Sequence, residues 1–202
     1  VRSRGLGDVY KRQVMKQLDV VNFALAKLGK APVTGLDDEE VGAVLRAMWP
    51  SAVEYVVQEV KPVWAKRVAQ LEGEEDLRLP GFVRSEALPE GCVDVVDVDG
   101  AGWCVFDGRL FWTGEGREVR VVYLVRPDDA AHEWCCADGE LLAAKLACLC
   151  ALTVTGRGDL EGRLQADVRR LEMRAQYRAR LQDMGRGGRD ETVSPWGRRG
   201  IV

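Results

Sequence analysis

The chain has 202 residues, of which 47% are hydrophobic and 30% charged, and its formal net charge is −3. This length and composition predict a globular protein of one or two domains. Residues 14–184 alone hold 21 basic and 29 acidic side chains, a net charge of −8. This negative charge argues against a protein that binds nucleic acid through the phosphate backbone.

Both ends of the chain are expected to lie outside the folded body. Residues 1–13 lack helical or strand periodicity and resemble a translated sequencing adaptor, so we interpret them as a non-native leader. Residues 185–202 are rich in glycine and arginine and are predicted to be disordered. The six cysteines form no C-x-x-C pair and the chain has one histidine, so we predict reduced cysteines, no metal and no cofactor.

Residues 14–81 are predicted to form the N-terminal helices. A first helix spans 19–28 and ends at Gly29. A second begins at Asp37 or Asp38 and runs to about Val60, with a kink or break at Pro50 because proline lacks the N–H that a helix interior needs. A short helix is predicted at 64–71, followed by an exposed charged loop at 72–79.

Residues 82–125 show a period of two and predict a small inserted antiparallel sheet. The predicted strands are 82–87, 92–98, 103–106, 109–113 and 118–125. Asp107 and Gly108 are typical of a two-residue hairpin loop between the third and fourth of these strands.

Residues 126–184 are predicted to complete the helical body. The segment 138–156 is apolar on nearly every side and rich in alanine, which is typical of a buried central helix. Asp138 is its predicted N-cap and Gly156 its predicted end. A solvated amphipathic helix at 159–184 follows, with one apolar stripe formed by Leu160, Leu164, Val168, Leu171 and Ala175. Together these elements predict an α+β fold.

Several residues occur in an order that we recognise. The N-terminal set is Val21-Asn22, Leu25, Leu28-Gly29, Pro32-Val33 and Leu36-Asp37-Asp38; the later set is Pro62, Trp64-Ala65, the run 88–92 (LPEGC), Tyr123, Asp128, Trp134 and 141–151. This order, from 19 to 184, resembles the tail tubular protein A family, the head-to-tail adaptors (connectors, or head completion proteins) of short-tailed phages. The chain departs from the family at Val63, which separates Pro62 from Trp64, and at Pro50, which lies inside a helix.

The resemblance implies a structural virion protein and not an enzyme. Such adaptors assemble in the host cytoplasm into a ring, typically a dodecamer, in the neck of the virion. The ring binds the portal protein on one side and the tail nozzle protein on the other, without a membrane partner. DNA passes through it without specific binding, which an acidic body suits because phosphates are not held.

Six residues are interface candidates by their positions. Trp103 and Trp112 lie on the predicted sheet, and Arg169, Arg170 and Arg174 on the last helix. Trp196, beside arginines in the tail, is predicted to anchor the tail to the portal protein.

Two other function classes stay open. Surface carboxylates such as those at 72–75 and 94–99 could serve a glycan hydrolase, although solvated acids are expected in a charged loop and beside a turn. A cysteine nucleophile is a further enzymatic possibility, with Cys135 or Cys136 activated by His132 as the base. The sequence shows no third group that would orient the histidine. The helices that flank residues 30–36 could form a DNA-binding motif, but the second begins with Asp37-Asp38-Glu39-Glu40, which phosphates would repel.

Overall fold

The computed structural model describes residues 14–35, 40–100, 102–114, 116–128 and 131–187. These residues form four α-helices and nine strands, and the α+β class is confirmed. The helices are α1 (Gln17–Lys27), α2 (Glu40–Val60), α3 (Cys136–Thr155) and α4 (Asp159–Gly187). The strands are β1 (Val14–Met15), β2 (Lys66–Glu72), β3 (Glu74–Glu75), β4 (Arg84–Ala87), β5 (Cys92–Val98), β6 (Trp103–Phe106), β7 (Arg109–Trp112), β8 (Glu118–Val125) and β9 (Trp134–Cys135).

Helix α3 is the centre of the helical body and packs against α1, α2 and α4. Its alanines, such as Ala143, Ala144 and Ala147, are fully buried, which lets the neighbouring helices approach closely. The helix begins at Cys136, so the prediction that Asp138 is its N-cap was wrong. Asp138 lies in the first turn and accepts a hydrogen bond from Trp64 Nε1 at 3.1 Å. Gly156 ends the helix with a φ of +67°, as predicted.

Helix α1 holds the loop that follows it through one side chain. Gly29 takes a φ of +68° just after the helix, and the chain turns back along it. The N–H of Val33 donates to Asn22 Oδ1 at 2.8 Å, and Asn22 Nδ2 donates to the Val33 carbonyl at 3.1 Å. These two bonds place Val33 in the helical core.

We expect Asn22→Ala to lower the free energy of unfolding by about 1–2 kcal/mol, because both backbone groups of buried Val33 lose their partner. Urea denaturation would measure the loss. Lys30→Ala, at an exposed position of the same loop, is the control and should change stability by less than about 0.5 kcal/mol. Equal stability of the two variants would contradict the assigned role of Asn22.

Helix α2 is a single helix, so the chain does not break and restart at Pro50. Pro50 is exposed, so the carbonyl that loses its donor there can bind water. The helix ends at Val60, and Lys61, which has a φ of +51°, follows it directly before Pro62.

The predicted helix at 64–71 was wrong. Val63–Ala65 form one 3₁₀ turn, and the chain then enters β2, which pairs antiparallel with β8 from Lys66–Leu124 to Glu72–Glu118. The hydrogen bonds that β2 forms with β8, about 50 residues later in the sequence, outweigh the local helical pattern. The charged segment predicted as a loop also contains β3. The sheet region therefore begins at Lys66 and not at 82, and it is not small.

The strands form two main antiparallel sheets and a short pair. Sheet A is the short pair β1-β9, sheet B has the order β2-β8-β5, and sheet C has the order β3-β4-β7-β6. Strands β5, β6 and β8 have the predicted bounds, and the Asp107-Gly108 turn joins β6 to β7 as predicted. The sheets pack face to face over a core of Val95, Val98, Leu110, Trp112, Val119 and Val121.

Sheet B also packs against the helices through its other face. Leu124 of β8 is fully buried in the helical core, and Val93 and Val96 of β5 pack against that core. The architecture is therefore layered: helices, then sheet B, then sheet C. Period-two alternation in β5 and β8 supplies apolar residues to both sides, as expected of strands covered on both faces.

Helix α4 continues to Gly187, so residues 185–187 of the predicted disordered tail are helical. The predicted leader at 1–13 and residues 188–202 lie outside the described residues.

Candidate interaction surface

The two tryptophans predicted as interface residues face each other across β6 and β7. Trp112 is only 1% exposed and fills the core between sheets B and C, so its ring cannot meet a partner directly, and that prediction was wrong. Trp103 is half-buried and packs on the same core from the edge strand β6. Trp196 lies outside the described residues.

The three predicted arginines lie together on the exposed side of α4. Arg170 pairs with Asp167 at 2.5 Å, and Arg174 pairs with Glu140 of α3 at 3.4 Å. Both side chains remain about two-thirds exposed or more despite these contacts (72% and 67%). Their guanidinium groups can therefore still meet a partner.

An apolar stripe on α4 was missed by the sequence analysis. It consists of four large side chains with high exposed fractions: Met173 (65%), Tyr177 (66%), Leu181 (51%) and Met184 (76%). Their spacing of four, four and three residues places them on one side of the helix, opposite the buried stripe that includes Val168, Leu171 and Ala175. We call these four residues the α4 stripe.

Arginines border the α4 stripe on both sides. At 100° per residue, Arg174 falls along one edge and Arg169 along the other, whereas Arg170 lies in line with the stripe, three residues before Met173. Residues 169–184 contain five arginines and two acids, against a net charge of −11 for residues 14–168. This half of α4 therefore presents an apolar, basic surface on an acidic protein.

Polar contacts to several elements hold α4 in place. Tyr55 of α2 donates to Glu172 at 2.6 Å, and Lys66 of β2 pairs with Asp183 at 2.6 Å. Burial and the adjacent Glu172 raise the pKa of Tyr55 well above its usual range, so the phenol stays a donor. Lys145 of α3 is partly buried, and its Nζ lies 3.7 Å from the centre of the Tyr55 ring, whose face stabilises the positive charge.

A semi-buried ion pair joins α4 to α1. Asp167 accepts hydrogen bonds from Lys27 and Arg170, and both lower the pKa of its carboxyl below the usual value. Because the folded-state pKa is below the unfolded one, the pair contributes stability above about pH 4 and loses it as the pH falls further.

We expect Asp167→Asn to lower the free energy of unfolding by about 1 kcal/mol at neutral pH. The difference from wild type should shrink as the pH falls through the lowered pKa, because protonation removes the same interaction. Denaturation at several pH values would measure it, with Glu90→Gln at an exposed position as the control. A constant difference down to pH 2 would contradict the assignment.

A pocket with a volume of about 240 Å³ lies beside the end of β8. Its lining is Trp64, Arg67, Val125, Arg126, Pro127, Asp128, Ala131 and His132. The His132 ring lies 4.4 Å from the Trp64 ring and 4.6 Å from the Trp134 ring, centre to centre. Burial raises the pKa of nearby Cys135 to about 11, so its thiol is protonated at neutral pH and a poor nucleophile.

Within the described ranges, no group of three or more His, Cys, Asp or Glu side chains could hold a metal ion. In the same part of the chain, none of the helices combines the length and the apolar character that crossing a membrane requires.

Comparison with known proteins adds no assignment. A scan against protein-family models finds no match, and a search of the curated proteins finds none that is significantly similar. The α4 stripe and its arginines therefore carry the functional argument.

Proposed function

We propose that the protein is a structural component of a phage virion that forms a ring between the portal protein and the tail nozzle. The ring extends the DNA channel and serves as a platform for tail assembly. The observation that carries the proposal is the outer side of α4, where an apolar stripe bordered by arginines faces away from the chain's own core. A face of this kind is suited to a protein partner.

Two further features support this function over the alternatives. The ordered residues that resemble the head-to-tail adaptors include buried Leu25, Trp134 and Leu141, which hold the helical body together. The net charge of −8 over residues 14–184 suits a channel through which DNA slides. For the hydrolase alternative, Glu74 and Glu75 lie exposed on the short strand β3, and the pocket beside the end of β8 does not include them.

Electron microscopy of the protein mixed with the portal protein of the same phage tests the proposal. We expect ring-shaped density stacked coaxially on the portal. The triple variant Arg169→Glu, Arg170→Glu, Arg174→Glu should lose the ring, and Arg157→Glu, at an exposed loop position, should keep it. Unchanged portal particles, together with release of sugars from cell walls by the protein, would favour the hydrolase instead.

A separate expectation concerns the C-terminal residues. Removing 188–202, or changing Trp196 to Ala, should weaken portal binding by at least about tenfold, because an aromatic anchor beside arginines is lost. Binding would be measured by surface plasmon resonance, with removal of residues 1–13 as the control that should have no effect. Undiminished portal binding without 188–202 would refute the role of Trp196.

A further inference from the structure

The pocket beside the end of β8 lies where sheet A, sheet B and the helical body meet. Trp64 belongs to the 3₁₀ turn that follows α2, Val125 ends β8, and His132 lies just before β9. None of the residues that line the pocket belongs to α4. Ligand binding here and contacts made by the α4 stripe are therefore measured independently of each other.

The aromatic side of the pocket is held in place by contacts within the protein. Trp64 Nε1 donates to Asp138 Oδ2 at 3.1 Å, and the His132 ring lies against the Trp64 ring with a centroid distance of 4.4 Å. His132 also contacts the ring of Trp134, which is fully buried. The backbone N–H of His132 donates to the Asp128 carbonyl at 2.9 Å. Because these rings are already ordered, a ligand that packs on them loses little free energy to rearrangement of the protein.

The lining of the pocket carries more positive than negative charge. Arg67 and Arg126 contribute two guanidinium groups, and Asp128 contributes the one carboxylate among the lining residues. Arg67 Nη1 donates to two nearby backbone carbonyls, both at 2.9 Å, which fixes the position of this side chain. The formal charge of +1 contrasts with the net charge of −8 over residues 14–184. It favours a ligand with a single negative charge.

We propose that this pocket binds a carboxylate that is attached to an aromatic group. The two oxygens of a carboxylate match the planar donors of an arginine guanidinium, and the aromatic part packs beside the rings of Trp64 and His132. The volume of about 240 Å³ is below the ~300–1,000 Å³ of typical sites for drug-sized ligands, so a group about the size of one amino acid fits. A phosphate ester is disfavoured, because its charge of about −2 exceeds that of the lining.

A ligand of this kind has two possible sources, which present the same two chemical groups to the pocket. One is a free aromatic acid. The other is a segment of a partner protein in which a glutamate or aspartate is followed by an aromatic residue. Both place the carboxylate beside Arg126 and the ring beside Trp64, so they differ in affinity and not in the residues they use.

Titration of the full chain, followed by heteronuclear NMR of its amide and indole N–H groups, tests the site. The probes are phenylacetate, its neutral analogue phenylacetamide, phenyl phosphate, and the peptide acetyl-Glu-Phe-amide. Phenylacetate and the peptide should shift the indole N–H signal of Trp64 until it saturates. Phenylacetamide should bind at least about tenfold more weakly, because it lacks the charge that the arginines recognise. Added salt should weaken the binding of phenylacetate.

A pair of arginine variants tests the residues. Arg126→Gln should raise the dissociation constant of phenylacetate by at least about tenfold, because a charge-assisted hydrogen bond is lost. Arg120→Gln is the matched control, since Arg120 is exposed on β8 and does not line the pocket. It should bind phenylacetate like wild type. Circular dichroism shows whether each variant is folded.

The relative affinities identify the source of the ligand. Tighter binding of the peptide indicates a partner protein, tighter binding of phenylacetate indicates a free acid, and comparable affinities mean that the pocket accepts the group from either source. Absence of saturable binding by both would overturn the proposal. So would equal binding of phenylacetamide, tighter binding of phenyl phosphate, an Arg126→Gln variant that binds like wild type, or an equal loss in Arg120→Gln.

Discussion

Trp134→Ala should lower the free energy of unfolding by about 3–5 kcal/mol, the usual cost of removing a fully buried large aromatic ring. Trp134 is 0% exposed, and Trp49 and Trp64 pack edge-on against it with centroid distances of 6.2 and 5.5 Å. It also belongs to β9, whose pairing with β1 brings the start of the described chain to the helical body. The cavity would therefore open where several elements meet.

Trp134→Phe should cost less than half as much. It keeps one aromatic ring, and it removes the Nε1–H, which is buried without a hydrogen-bond partner in the described structure. Tyr177→Ala is the exposed aromatic control and should stay within about 0.5 kcal/mol of wild type. Chemical denaturation with a tryptophan-independent signal, such as far-UV circular dichroism, measures all three. A loss below about 1 kcal/mol for Trp134→Ala would contradict this view of the core.

Gly73→Ala should be the most damaging small substitution in the sheets. Gly73 is the residue at which the chain passes from β2 in sheet B to β3 in sheet C. A Cβ there would lie 2.0 Å from the Cη2 atom and 2.4 Å from the Cζ2 atom of Trp112, which is almost fully buried. Because neither the backbone nor the ring can move freely, we expect a loss of about 2–3 kcal/mol in the free energy of unfolding.

Gly162→Ala provides a control of opposite sign. Gly162 lies in the first half of α4, and a Cβ there meets nothing within 4 Å. Alanine should stabilise the helix by about 0.5–1 kcal/mol through its higher helix propensity. The double variant Gly73→Ala, Trp112→Leu should be less destabilised than the sum of its two single changes, because the shorter side chain leaves room for the methyl group. Simple additivity would rule out the steric explanation.

The elements that could be predicted from the sequence are those whose signals are local. The apolar segment around Leu141 predicts a buried helix, because an exposed helix of this composition would place its apolar side chains in water. The alternation in β8, with Val119 and Val121 against Arg120, likewise predicts a strand. The α+β class follows from these two patterns together.

The wrong predictions concern residues whose structure is determined by contacts with distant parts of the chain. Residues 66–71 become a strand because β8 supplies hydrogen bonds, which no window around Val68 reveals. Trp103 and Trp112 look equivalent in sequence, and only the packing of the two sheets buries Trp112. The α4 stripe was missed because an amphipathic helix was expected to have one apolar side, although the spacing of Met173, Tyr177 and Leu181 was visible.

The layered arrangement has a mechanical consequence. Strand β8 places Val121 in the core between the sheets and Leu124 in the helical core, and β5 does the same with Val95 and Val96. Each of these two strands therefore joins the core between the sheets to the helical core through its own backbone. We expect the sheets and the helical body to move as one rigid unit. The amide hydrogens of β8 should exchange with solvent only when the whole molecule unfolds.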